Sequence, residues 1–437
     1  MILLLRRLLL PGSHTSRVNT SKTISLFIGT LATSMQLYAQ WSGSLGLSGG
    51  YADNAFSNYL TAPASMYSGS LLFGYFPENG RWASSYSGGY NTFGQYADRN
   101  YSTHQLTASY SIPYGEEQRH ALTFALAGGM RFDNSAFTMY DYRQAVAALN
   151  WKHVFEDLFS GKLGYRAHFR TYPNFLDLSY LEQSASLSLS RSFATKTSVS
   201  MDVSVGNKEY QSLSTSTTTS AFTASNAFFH FDDDRAKDPN HRPNFPHDRG
   251  IRGIDFHRDE TQGIQSSVQY LVYEQPTTMQ LCASLKIAQS LGEETGISAR
   301  YFQRWNLTDR GRAFVGGAVD FIGEEDLFDD PYSYESKELA LTLTRYLPFS
   351  LKGELAAMYS VKQYPYPNNL DYTSSAPDRA DTRFGLTVSL EKTMDDSWFV
   401  FEGTTLMLEY LYQRNQSNTA YYDYHSNSIT LGIETMF

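Results

Sequence analysis

The feature that most constrains this chain is a period-two alternation of apolar and polar residues, repeated in run after run. In one run, residues 198–205, the apolar side chains are Val and Met and the intervening ones are Ser and Asp. Residues 264–272 and 383–390 alternate in the same way. A period of two puts successive side chains on opposite faces of a β-strand, whereas helical spacing is scarce after Gln40. The chain is therefore predicted to be all-β.

Strand length separates the two architectures that give this pattern. A soluble sandwich uses strands that average about five or six residues. A tilted strand that crosses a bilayer needs roughly 9–11, which is the length of the alternating runs here. We therefore predict a transmembrane antiparallel up-and-down β-barrel of about 18 strands, within a range of roughly 16–20, in place of a sandwich.

Turns and loops of alternating length divide the chain into hairpins. Short turns are predicted at Pro77–Gly80, Glu274–Thr277 and Pro348–Ser350, where we expect the periplasmic side. Longer polar segments fall between these turns and are expected to be extracellular, the longest lying near 210–261. The strand predicted over 264–272 precedes the second of these turns. Residues 40–437 are thus predicted to form a single barrel domain.

Composition excludes several other classes of protein. Aromatic residues make up 15% of the 437 residues, including 32 Tyr, which is unlike a disordered chain. The mean hydropathy of -0.39 argues against a bundle of membrane-spanning helices. A formal net charge of -9 disfavours nucleic acid as a partner. Cys282 is the one cysteine, so no intramolecular disulfide can form.

The N-terminal region predicts export from the cytoplasm. Residues 23–35 are apolar, Arg17 and Lys22 precede them, and Leu37–Ala39 ends in a small residue before Gln40. We therefore predict that residues 1–39 are a signal peptide with an upstream extension, removed by cleavage. The earlier run at 2–10, which Arg interrupts, indicates a start codon assigned too early. A buried helix or a membrane anchor is the alternative.

The C-terminus contains the most specific pattern. Thr430, Gly432 and Phe437 stand at the places of a polar residue, a glycine two residues later and a terminal aromatic residue. This pattern resembles the terminal β-signal of bacterial outer-membrane β-barrels, including porin-like ones; Thr435 departs from it where an apolar residue is usual. The resemblance is to the class as a whole. It implies an integral protein of the outer membrane of a diderm bacterium. It also implies contact with lipopolysaccharide, with periplasmic chaperones and with the barrel-assembly machinery, which would read Gly432 and Phe437.

Two motifs bear on chemistry. Gly46–Gly50 matches the G-x-S-x-G pattern of a hydrolase nucleophile, but that motif needs a strand-to-helix turn and here it lies in an alternating strand. The segment 228–260 concentrates His, Asp and Arg. Its weak candidates for metal ligands are His241, His247, Asp232 and Asp234. Their spacing matches no standard metal site, so a solvated loop or a charged constriction is the competing interpretation. No cofactor is predicted.

The alternation also assigns side chains to the lumen. Leu163, Tyr165 and Phe169 are expected to face lipid. The residues between them and their equivalents on other strands then line the interior: Arg166, His168, Arg170, Glu182, Asp202, Arg300 and Arg383, with Arg304, Asp320, Glu354, Glu391 and Glu409. Both signs of charge occur. Either the interior is a hydrated channel, or the charges pair across strands and fill the bore.

These observations favour a porin-like channel for small solutes, without catalysis. A structural or export-partner barrel with little conductance is the second hypothesis, and an outer-membrane lipid-modifying enzyme is the third. No Ser, His and acid arrangement can be assembled for the third. A homo-oligomer is compatible with the pattern, and the sequence identifies no particular solute.

Overall fold

The structure is a computed structural model of the 437-residue chain. It describes residues 41–57, 61–77, 80–211, 277–308, 330–364, 378–394, 403–419 and 422–437. The predicted signal peptide at 1–39 and most of the long loop near 210–261 lie outside the described residues.

Sixteen antiparallel strands form one closed barrel in the described part of the chain. Each strand pairs with its neighbours in sequence, and the first pairs with the last. The strands are Trp41–Ala52 (β1), Ala64–Tyr75 (β2), Trp82–Phe93 (β3), Tyr101–Tyr114 (β4), His120–Asp133 (β5), Tyr142–Glu156 (β6), Phe159–Thr171 (β7), Tyr180–Ser192 (β8), Thr197–Tyr210 (β9), Thr278–Ser290 (β10), Thr295–Asn306 (β11), Glu335–Leu347 (β12), Leu351–Gln363 (β13), Ala380–Met394 (β14), Gly403–Ser417 (β15) and Tyr424–Met436 (β16). The predicted all-β antiparallel barrel is confirmed.

The count of about 18 strands is too high by two. β9 pairs directly with β10, with Lys208 opposite Thr278, and β10 pairs on its other side with β11. A strand has only two hydrogen-bonding edges, and both edges of β10 are thus occupied. The alternating run at 264–272 and most of the turn predicted at Glu274–Thr277 lie outside the described residues. β11 likewise pairs directly with β12.

The two ends of the barrel differ. The start of β1, the end of β16 and the short turns lie at one end, which we call the terminal end; there Lys196, Phe349 and Ser350 have positive φ angles, as tight turns require. The longer connections lie at the other, which we call the loop end. An even number of strands necessarily returns the C-terminus to the end where β1 begins.

The outer face of the barrel is apolar and the inner face is polar. Residues directly opposite each other in the register share a face. Leu106, Leu126 and Leu431 on the outer face are each more than 60% exposed, which for a soluble protein would be an unusually large apolar surface. The inner face of β1, β2 and β3 is built mainly of Ser and Gly.

A continuous seam closes the sheet. β1 and β16 pair from Ser44 opposite Met436 to Ala52 opposite Ser428. At the terminal end the Gly43 N–H donates to the Phe437 carbonyl at 2.8 Å, and the Phe437 N–H donates to the Gly43 carbonyl at 2.9 Å. No helix among the described residues has the length and apolar character to cross a membrane. A closed sheet of bilayer-spanning strands with an apolar exterior satisfies every requirement of a membrane barrel, and the chain is an integral outer-membrane β-barrel.

Candidate functional site at the loop end of the lumen

A short segment before β12 folds against the inner wall of the barrel. We call Asp330–Ser333 the strap. It is a single 3₁₀ turn that Asp330 caps, since the Asp330 carboxylate accepts a hydrogen bond from the Tyr332 N–H at 3.2 Å. Pro331 at the first helical position suits this turn because its ring fixes φ and its missing N–H is not needed there. The Asn306 side chain donates to the Tyr332 carbonyl at 3.2 Å and ties the strap to the end of β11.

A buried ion pair holds the strap to the wall. Lys208 Nζ on β9 donates to Asp330 Oδ1 at 3.1 Å, and the two side chains are 1% and 3% exposed. Burial raises the pKa of the Asp330 carboxyl above its ordinary value, and the neighbouring Lys208 ammonium acts in the opposite direction. A charge this deeply buried is stable only with its partner, so each member of the pair depends on the other.

The strap also reaches β8. The Tyr332 hydroxyl donates to Glu182 Oε1 at 3.2 Å. Burial beside the Glu182 carboxylate raises the pKa of the Tyr332 hydroxyl, so this group remains a donor at any physiological pH. Gly206 on β9 makes room for it, because a Cβ at that position would lie 2.3 Å from the Tyr332 hydroxyl.

Three of the predicted lumenal residues join this cluster. His168 Nδ1 lies 3.7 Å from Glu182 Oε2, and His168 Nε2 lies 3.2 Å from Gln144 Oε1. Arg170 donates to the same Gln144 oxygen from Nη2 at 2.9 Å. Arg166, two residues further from the loop end on β7, is exposed. His168, Arg170 and Glu182 therefore hold one network across β6, β7 and β8.

The remaining predicted lumenal residues are spread around the inner wall. Asp202 accepts a hydrogen bond from the Ser284 hydroxyl at 3.2 Å, and Glu391 binds Lys352 at 3.0 Å. Arg300 lies near the Phe302 ring, and Arg383 stands opposite Ser360 and Asn415. Arg304, Glu354 and Glu409 occupy equivalent inner positions on β11, β13 and β15, and Asp320 lies outside the described residues. These groups form no single site with the strap.

A layer of cations on aromatic rings lines the wall around the loop end. Lys208 Nζ lies 3.9 Å from the Tyr180 ring centroid, and Arg131 Cζ lies 3.9 Å from that of Tyr101. The cation–aromatic layer consists of Arg99, Arg131, Arg170, Lys208, Arg304, Lys362 and Arg379 with the rings of Phe56, Tyr101, Phe137, Tyr142, Tyr180, Tyr334, Tyr364 and Tyr422. Most of these cations are buried, so the aromatic rings take the place of water around them.

Sequence reasoning missed this layer, although a signal for it exists. Tyr101, Tyr142 and Tyr180 each begin a strand at the loop end, and Tyr210 ends one there. All four lie on the lumenal face of their strands, where Ser and Gly are usual. A Tyr on the polar face at the loop-end boundary of a strand therefore marks the layer.

Gly432 and Phe437, the predicted assembly signal, both lie in the seam. Gly432 stands opposite Ser48 on the inner face, and Phe437 places its ring against Gly43. Ser48 itself, the serine of the G-x-S-x-G pattern, shares a hydrogen bond of 2.7 Å with the Ser68 hydroxyl on β2. It is a strand residue with no helix after it, so the structure lacks the turn that a hydrolase nucleophile needs.

The candidate metal ligands His241, His247, Asp232 and Asp234 lie outside the described residues. Across the ranges that the structure describes, no group of three or more His, Cys, Asp or Glu side chains is placed to hold a metal ion.

Comparisons with known proteins give one family model that matches part of the chain and several similar solved structures. Residues 296–437 match the family model for "Surface lipoprotein assembly modifier". Comparison with curated protein sequences gives no match. Among solved structures the chain is similar to Pseudomonas aeruginosa OpdL, with 10% identity over 92% of this chain and 99% of that one and a TM-score of 0.44. It is also similar to CdiB from Acinetobacter baumannii, with 9% identity over 90% of this chain and 60% of that one and a TM-score of 0.46. A bacterial polysaccharide outer membrane secretin gives 8% identity, coverage of 90% and 97%, and a TM-score of 0.41.

Proposed function

We propose that this barrel assists the assembly or export of a lipoprotein at the cell surface and conducts little in its resting state. The observation that supports this proposal is the family match over residues 296–437, which takes in almost all of β11 and every strand from β12 to β16. It is the one sequence-level likeness that carries a functional description, and it favours the export-partner hypothesis over the porin-like one.

The loop end of the lumen is compatible with such a role. The buried Lys208–Asp330 pair and the cation–aromatic layer occupy wall positions that a diffusion pore would leave open to water. Separation of the strap from the wall would break this buried ion pair and the hydrogen bond from Tyr332 to Glu182. The barrel itself performs no catalysis in this proposal.

The test follows lipoproteins in cells of the source organism. The gene is deleted and then replaced by the wild-type gene, and surface lipoproteins are labelled with a biotin reagent that cannot cross the outer membrane. We expect the deletion to remove at least one lipoprotein from the labelled set while its total amount in the cell stays constant, and complementation to restore it. An unchanged labelled set in the deletion strain would contradict the proposal.

A porin-like channel remains the second candidate because exposed charges of both signs lie on the inner wall away from the mouth. Arg166 and Asp202 are examples. Planar-bilayer recordings separate the two candidates. An export barrel should give small or rare openings in the wild-type protein and larger ones after deletion of Pro331–Ser333. A channel should conduct steadily before any deletion.

A further inference from the structure

Two lysines face each other on the inner wall near the terminal end. Lys152 on β6 and Lys162 on β7 are directly opposite in the register, and both are exposed to the lumen. Directly opposed residues have Cβ atoms about 4.5–5.5 Å apart, and like charges at that separation are destabilising. Arg166 continues the same face four register positions nearer the loop end, with Gly164 between it and Lys162. Three cations are thus concentrated on two adjacent strands.

The carboxylates nearest to these cations are engaged elsewhere. Asp202, the acidic residue in the same row as Lys162, takes its hydrogen bond from Ser284 on the far side. Glu182 holds His168 and the Tyr332 hydroxyl. Within the described ranges, Lys152 and Lys162 form no ion pair with any carboxylate, whereas Arg166 interacts electrostatically with Glu182. The positive charges of Lys152 and Lys162 are therefore not neutralised by an ion pair within the protein.

A glycine opens a space between the cations. Gly164 lies between Lys162 and Arg166 on the lumenal face of β7. A Cβ there would lie 2.7 Å from Ser186 Oγ on β8 and 3.1 Å from Asn150 Oδ1 on β6. A hydroxyl and an amide therefore converge over the glycine, and within the described part of the chain neither has a protein hydrogen-bond partner. The Ser186 hydroxyl supplies a donor that suits an oxyanion, and rotation of the Asn150 amide would turn its NH₂ group toward the same space in place of Oδ1.

We propose that Lys152, Lys162 and Arg166, with Ser186 and Asn150, form a lumenal binding site for an oxyanion, either a phosphate or a carboxylate group. A bound anion would remove the repulsion between the two lysines and accept hydrogen bonds from the hydroxyl and the amide. The site goes beyond the proposed role in lipoprotein assembly, because an anion could occupy it in an export barrel or in a channel.

The test uses the full chain folded in detergent micelles, with inorganic phosphate as the probe. Binding is measured as line broadening of the phosphate ³¹P NMR signal, which needs no conductance and no export activity. We expect the K152Q/K162Q/R166Q variant to lose the broadening, down to the level of micelles without protein. The matched control is K352Q, which removes a lumenal lysine whose charge Glu391 already neutralises; it should broaden the signal as the wild type does.

Two competition arms distinguish the sources of the oxyanion. Hexaglutamate that displaces phosphate at concentrations where acetate does not would assign the site to an acidic polypeptide segment. Equal displacement of phosphate by hexaglutamate and by acetate, compared at the same concentration of carboxylate groups, would assign the site to small solutes. Heat-modifiable migration in SDS gels confirms that each variant is folded. Broadening in the folded triple variant equal to that of the wild type, or an equal loss in K352Q, would overturn the proposal.

Discussion

At the scale of single residues, Gly206 decides whether the strap can lie against the wall. Gly206→Ala would place a Cβ 2.3 Å from the Tyr332 hydroxyl and force the strap outward. We expect a loss of about 1–3 kcal/mol in the free energy of unfolding, as for other overpacked sites. Urea titration in lipid vesicles measures it. Gly128→Ala is the matched control, because a Cβ there meets nothing within 4 Å; a loss as large in the control would contradict the assigned cause.

The assignment of faces is testable at two adjacent residues of β14. Val388 is on the outer face and 39% exposed, whereas Thr387 is on the inner face opposite Ala356 and Leu411. An Arg at Val388 should cost roughly 2–4 kcal/mol if the position is near the bilayer midplane. An Arg at Thr387 should cost much less, since lumenal water solvates it. Unfolding titrations of the two variants that agree within error would refute the assignment.

Individual side chains were predictable from the sequence only as far as their face. The alternation places Arg166, His168 and Glu182 in the lumen, where the structure also has them. It does not identify their partners, because the contact between Glu182 and Tyr332 joins residues 150 positions apart. The strap could not be predicted either, because a short turn before a strand has no periodicity in the sequence.

At the scale of elements, the buried ion pair should determine the stability of the strap. Asp330→Asn leaves Lys208 buried without a countercharge and should cost about 3–5 kcal/mol. Replacing both members, as in K208M/D330N, removes the unpaired charge and should recover a substantial part of that loss. The free energies of unfolding of wild type, single and double variants are compared. A double variant less stable than D330N would show that the pair is not the cause.

The terminal strand should control assembly. Deletion of Phe437 removes both backbone hydrogen bonds to Gly43 at the end of the seam. We expect a lower level of protein in the outer membrane and more periplasmic proteolysis, followed by immunoblotting of fractions. Gly432→Ala provides a steric control, because its Cβ would meet Met407 at an ordinary 3.5 Å. Wild-type levels after deletion of Phe437 would exclude a role for the terminal residue in assembly.

Most elements of the ladder follow from the sequence, but the predicted count of about 18 exceeds the sixteen strands of the closed barrel. Alternation over 198–205 and 383–390 corresponds to β9 and β14. Alternation over 264–272 is as regular, but this run lies outside the described residues, and β10 already pairs with β9 and β11. Alternation is a local property and pairing is not, so a count based on alternation exceeds the true number.

At the scale of the whole molecule, a closed ladder provides the inner surface on which both proposed sites depend. The strap binds β8 and β9, and the oxyanion site uses β6, β7 and β8. Both therefore require that these strands follow one another without an inserted strand. A strand inserted between β9 and β10 would leave Lys208 beside Glu182, because these two residues pair across β8 and β9. It would, however, change the strand that follows β9 in the wall beside the strap.

The most direct test of the sixteen-strand barrel uses its own cysteine. Ser204 on β9 stands directly opposite Cys282 on β10, with its side chain in hydrogen-bonding reach of the thiol. Ser204→Cys should therefore form a disulfide with Cys282 under mild oxidation in isolated outer membranes, detected as a cross-linked peptide by mass spectrometry. Ser186→Cys, one strand further away on the same face, should leave both thiols free. Free thiols in a membrane-embedded S204C protein, or a cross-link in S186C instead, would contradict the ladder.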